Sequence, residues 1–164
     1  MALIDSGGRV IQDRWSYPDA DGIYLTQAYS VVPADALALV PKTVRPLGVL
    51  VPAGTSVSDL IPYLSDLELI AVEFPKFRDG RGFTMVRTLR AKQGFLGDIR
   101  AIGHVLPDQF GPLVQCGFSS IMTPTEHPPE QWQQTAVSGG DGIPSKPLVQ
   151  RLINQRARVP NSPE

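Results

Sequence analysis

The sequence predicts an α/β protein with a βαβαβαβ core of about four parallel strands, arranged as a small open sheet or as half of a barrel-like array. Three observations carry this prediction. Short apolar runs recur at Leu47–Val51, Leu67–Phe74, Ile99–Ile102 and Ser119–Met122. Between them the apolar spacing changes to that of a helix. Apolar strands that alternate with helices pair in parallel through right-handed crossovers.

The chain divides into an N-terminal extended module (1–46), a core (47–123), and a linker with a last helix (124–164), all within one domain. Ala2–Ile4 and Val10–Ile11 flank Asp5-Ser6-Gly7-Gly8, which predicts a hairpin because glycine accepts positive φ. Trp15, Tyr17 and Tyr24 then either cover one edge of the core or form a partner surface. Pro33 suits the first position of a short helix.

In the core, Val57, Leu60, Ile61 and Leu64 stand at i, i+3, i+4 and i+7, the stripe of an amphipathic helix. Thr55 or Ser56 is its expected N-cap, and Pro62 kinks it or ends it early. Phe83, Val86 and Leu89 make a second stripe that stops at Gly94. Leu106, Phe110, Leu113 and Val114 make a third, which ends at Gly117. Beyond Thr123, a short helix is expected over Glu130–Val137. Ser138-Gly139-Gly140-Asp141-Gly142 reads as a linker, and Leu148, Val149, Leu152 and Ile153 line one side of a last helix. A core of about four strands leaves a sheet edge to cover, so a homodimer is expected, with the 148–153 face as one candidate cover.

Charge and cysteine content narrow the function. Fifteen basic residues against 16 acidic ones give a net charge of -1, which argues against nucleic acid or an anionic membrane as partner. The single cysteine, Cys116, excludes an intramolecular disulfide and a cysteine-ligated zinc or iron–sulfur site within one chain. Placed before Gly117 at a helix end, it reads as a small packing residue. No basic segment followed by a long apolar run opens the chain, and no run approaches the roughly 20 apolar residues of a membrane span. The expected location is the cytoplasm.

Ligands of α/β sheets bind outside the carboxyl ends of the strands. Three such ends are expected on one rim: 52–56, 73–82 and 103–109. The middle one holds Glu73, Lys76, Arg78, Asp79 and Arg81 within nine residues, with Gly80 and Gly82 interspersed. Basic side chains beside a helix start suit an oxyanion, with Lys76, Arg78 and Arg81 and the amides around Gly80 and Gly82 as ligands. The alternative is a packed loop in which Asp79 caps the helix and Arg81 pairs with Glu73. Gly54-Thr55-Ser56 lacks the full phosphate-loop pattern and reads as helix capping. His104 follows a strand and carries protons near neutral pH, with Asp108 four residues on. Asp79, His104 and Asp108 are therefore the candidate acid–base residues, against structural roles for each. No metal site is expected from two separated histidines.

The string Glu73-Phe74-Pro75-Lys76-Phe77-Arg78-Asp79-Gly80-Arg81-Gly82-Phe83, with Leu89-Arg90, resembles the signature of domain-of-unknown-function family 934. So does Gly97–Gln109, closing with Cys116-Gly117-Phe118. Members of that family carry the label of probable oxidoreductases of sulfite reduction, from genes beside sulfite reductase. The resemblance implies a role in assimilatory sulfate reduction, with sulfite reductase or another enzyme of that route as partner. Where the family often has Asp after Phe118, this chain has Ser119. No flavin, nicotinamide, haem or iron–sulfur motif accompanies the oxidoreductase label, and six-electron sulfite reduction needs such cofactors. The expectation is therefore an accessory or interaction protein, with a small oxyanion-binding enzyme or sensor as the alternative.

Overall fold

The computed structural model describes residues 1–138. Its strands are β1 (Ala2–Asp5), β2 (Val10–Ile11), β3 (Ser30–Pro33), β4 (Leu47–Pro52), β5 (Leu67–Phe74), β6 (Asp98–Gly103) and β7 (Ser120–Thr123). The α-helices are α1 (Arg81–Ala91), α2 (Phe110–Cys116) and α3 (Pro129–Ser138). All strands join one sheet in the order β2-β1-β7-β6-β5-β4-β3. Strands β3 to β7 run parallel, while β1 is antiparallel to both β7 and β2. The protein is thus α/β, with the N-terminal hairpin as expected.

The parallel strands follow one another in chain order. Right-handed crossovers between consecutive neighbours all fall on the same face. The sheet is therefore open in outline yet has the connectivity of half a (β/α) barrel. Its helix-covered face carries Val32, Val49, Val51, Ile70, Val72, Phe74, Ile99, Ala101 and Ile121, all buried with Val86, Leu89, Leu113 and Trp132 in one core. Four consecutive residues of β5, Leu69–Val72, are fully buried, so that strand is covered on both faces.

The second cover comes from the segment between β2 and β3. These strands lie at opposite edges, so the segment crosses six strand spacings, roughly 29 Å at about 4.8 Å each. Trp15 lies over Gly48, where a Cβ would stand 3.1 Å from its ring, and packs edge-to-face on Tyr29. The N-terminal segment therefore covers this face, and at Ser16, between Trp15 and Tyr17, it also covers the edge of β3, as expected: Ser16 N–H donates to Tyr29 O at 2.9 Å and Val31 N–H to Ser16 O at 2.8 Å.

The four expected core strands are all present, one is added, and two expected helices are corrected. The core has five parallel strands where about four were expected, because Ser30–Pro33 pairs with β4 residue for residue. The 57–64 stripe is not an α-helix but two 3-10 turns, Val57–Asp59 and Ile61–Asp66. A repeat of three puts Val57, Leu60 and Tyr63 on the inner side and turns Ile61 out to 46% exposure. Ser56 takes the N-cap position, but its hydroxyl pairs with Ser58 Oγ at 2.7 Å and caps nothing. The segment after Pro33 is likewise a 3-10 turn, Ala34–Leu39. Gly94 and Gly117 follow α1 and α2 with φ of 66° and 125°. Of the expected 138–142 linker only Ser138 is described, and it closes α3; the rest of the linker and the 148–153 helix lie outside the described residues.

Candidate functional site

Strands β4, β5 and β6 deliver the loops 53–56, 75–80 and 104–109 to one rim. Where the second loop enters α1, Asp79 and Arg81 form a two-pronged pair. Arg81 Nε donates to Asp79 Oδ1 at 2.9 Å and Nη2 to Oδ2 at 2.7 Å. The Arg81 backbone N–H adds a third bond to Oδ1 at 3.2 Å. Parallel donors of this kind orient a guanidinium as well as hold it. The hydrogen bonds from Arg81 keep the Asp79 carboxyl below its ordinary range, and the same pairing raises Arg81. Asp79 is nearly covered, whereas the Arg81 side chain is 69% exposed.

The guanidinium lies on the backbone of Gly54. A Cβ there would stand 2.6 Å from Nη1 and 3.0 Å from Cζ, so glycine is what lets the group settle. Asp79 leaves Nη1 unengaged, and Arg81 lines a groove of about 280 Å³. One wall is Ala53–Thr55 with Val57; the other is Arg81, Thr84, Met85 and Thr88 of α1.

The remaining rim candidates separate. Lys76 and Arg78 are exposed, form no ion pair among the described residues, and do not line the groove. Arg78 instead sits over the Phe77 ring, 5.2 Å from its centroid. Gly80 faces open space and its carbonyl accepts from Thr84 N at 3.3 Å. Gly82 is buried, and a Cβ on it would meet the Phe74 ring at 2.6 Å, so its part is close packing of α1 on β5. Arg81 pairs with Asp79, not with Glu73.

His104 lines a second cavity, of about 270 Å³, with Phe77, Glu126 and His127. His127 Nδ1 is 2.9 Å from Gln131 Oε1. Gln109 ties the two rim loops together: its Nε2 donates to Phe77 O at 2.5 Å and its Oε1 accepts from Leu106 N at 2.9 Å. Asp108 is exposed on the turn Pro107–Gln109 and lines neither cavity. Cys116 is buried, as expected of a packing residue. Its thiol donates to Phe83 O at 2.9 Å, and burial pushes its pKa up.

Two buried arginines went unseen in the sequence. Arg90 donates to the carbonyls of Gly117 (2.9 Å), Phe95 (2.8 Å) and Gly97 (2.7 Å), and burial lowers its pKa to about 10. Arg100 on β6 meets Asp13 (3.0 Å), Tyr17 Oη (2.5 Å), Asp98 (2.8 Å) and Ser120 Oγ (2.9 Å), pinning the crossing segment to the second face. Burial raises Tyr17 well above an ordinary tyrosine. Asp98-x-Arg100 was the available signal, since residues two apart in a strand share a face. Ser119 bonds Asp98 and accepts from Ile99 N, a structural task.

Among the described residues no group of three or more His, Cys, Asp or Glu could hold a metal ion. No helix there is long and apolar enough to cross a membrane. A family model described as a bacterial protein of unknown function, DUF934, matches residues 48–138, which include both cavities. Comparison with curated proteins finds no match.

Proposed function

The chain belongs to the DUF934 family of bacterial proteins, and from that premise we propose that it is an accessory protein of assimilatory sulfite reduction that holds a small oxyanion at Arg81. The pathway comes from the resemblance of the 73–118 motifs. The oxyanion site comes from one observation: a guanidinium held by Asp79, laid on Gly54 and left 69% exposed beside a groove. Charge-assisted hydrogen bonds contribute roughly 1.5–3 kcal/mol each. Two of them from one guanidinium support binding at millimolar concentration once ordering costs are met. In this reading the protein works in the cytoplasm as a homodimer, beside sulfite reductase or another enzyme of sulfate assimilation.

The test is thermal unfolding in sulfate, sulfite or phosphate at constant ionic strength. Wild type gains melting temperature with the logarithm of anion concentration. Arg81→Ala loses that gain, and so does Gly54→Ala, whose methyl displaces the guanidinium. Equal stabilisation of all three proteins refutes the site. Co-elution with sulfite reductase, together with altered reductase turnover, tests the accessory role, and light scattering tests the dimer. A second reading, an enzyme acting on the bound oxyanion, draws on His104 and His127 in the neighbouring cavity. It requires turnover that His104→Gln abolishes.

A further inference from the structure

We propose that the Arg81 groove takes an organic oxyanion, a sulfonate or a phosphate monoester whose short tail carries hydrogen-bond donors, in preference to a bare inorganic ion. The inference rests on the oxyanion reading and adds the ligand class.

Size comes first. The groove holds about 280 Å³. A water molecule takes about 30 Å³ of liquid, so the space equals about nine waters, more than a four-oxygen ion fills. It stands just below the roughly 300–1,000 Å³ of small-molecule sites.

Shape and polarity come next. Arg81, Thr84, Met85 and Thr88 stand at i, i+3, i+4 and i+7 on α1 and share one face. At about 1.5 Å per residue the wall runs about 10 Å from Arg81 to Thr88. The cation is at one end only. Thr84 Oγ1 donates to Gly80 O at 3.5 Å and Thr88 Oγ1 to Thr84 O at 3.0 Å. With its proton turned into the helix, the Thr88 hydroxyl presents lone pairs to the groove, while the Thr84 hydroxyl, 3.5 Å from its partner, is free to turn and accept as well. Beyond Arg81 these side chains therefore offer acceptors, alongside the apolar surface of Val57 and Met85. A ligand that fills the groove has a tetrahedral anionic head, some carbon, and hydroxyl or ammonium donors on its tail.

The experiment compares matched pairs on the full chain by thermal unfolding at constant ionic strength: sulfate against 2-aminoethanesulfonate, and phosphate against ribose 5-phosphate. At least one organic member reaches half-maximal stabilisation at a concentration tenfold or more below its parent ion. The responding pair identifies the head group. Thr88→Leu fills the far end of the groove, returning that organic ligand to the level of its parent ion without moving the parent. Organic members no tighter than their parent ions overturn the inference while leaving the oxyanion site standing. So does a Thr88→Leu variant that keeps the preference. If no probe gives a stabilisation that depends on Arg81, the oxyanion reading falls and this inference with it.

Discussion

Replacing Arg90 with methionine removes three hydrogen bonds to carbonyls while keeping most of the side chain's bulk. The carbonyls of Gly117 and Phe95 are reached through buried hydrogen bonds and that of Gly97 through a partly buried one. Each buried acceptor left without a partner costs about 1–3 kcal/mol. Against this, methionine avoids burying a charge, a penalty visible in the drop of the Arg90 pKa to about 10. With two buried acceptors, a partly wetted third and that relief, the net loss is about 3 kcal/mol. For a chain of this length that lowers Tm by roughly 6–12 °C. Urea unfolding followed by circular dichroism measures the free energy, and a scanning melt measures Tm. Arg90→Lys, with one nitrogen to share among three carbonyls, falls between wild type and Arg90→Met. A methionine variant within 1 kcal/mol of wild type refutes the claim that Arg90 joins the end of α1 to the 95–97 and 117–119 segments.

Gly82→Ala puts a methyl into the Phe74 ring, and overpacking of this kind costs about 1–3 kcal/mol by urea unfolding; Gly80→Ala, facing open space, stays within about 0.5 kcal/mol. The Asp79–Arg81 pair adds stability that is present above the unfolded carboxyl value of about 3.9 and is lost as pH falls through the lower folded value. Wild type minus Asp79→Asn stability is therefore flat from neutral pH to about 4 and shrinks below it. Because the folded thiol is raised, Cys116 favours its protonated form, and its contribution falls as pH rises past the ordinary thiol range of about 8.5. At pH 8 Cys116 resists a thiol-specific disulfide reagent until urea unfolds the chain, and labelling at the rate of a free thiol contradicts its burial.

The alternation of strand and helix was legible because apolar period is local: β5, α1 and α2 each show in a dozen residues which sides are buried. Asp79 and Arg81 were legible as members of one rim loop, but the expected partner of Arg81 was Glu73, and only the structure pairs it with Asp79. Strand β3 was not. Ser-Val-Val-Pro is too short to show a period, and only pairing with β4 makes it a strand, at an edge where proline is tolerated. The 57–66 segment satisfied a helical template, yet Pro62 lacks the N–H an α-helix needs, and packing chose turns of three. Three cations of one loop looked alike in sequence. Tertiary structure separated them, because the β4–β5 pairing brings Gly54 to the Arg81 guanidinium, which lies where a Cβ would stand, while Lys76 and Arg78 do not line the groove. Arg100 shows the same division. Its partner Asp98 is local, but Asp13, Tyr17 and Ser120 arrive through strand order and the crossing segment. Which side chains meet across such distances depends on topology, and no spacing along the chain encodes it.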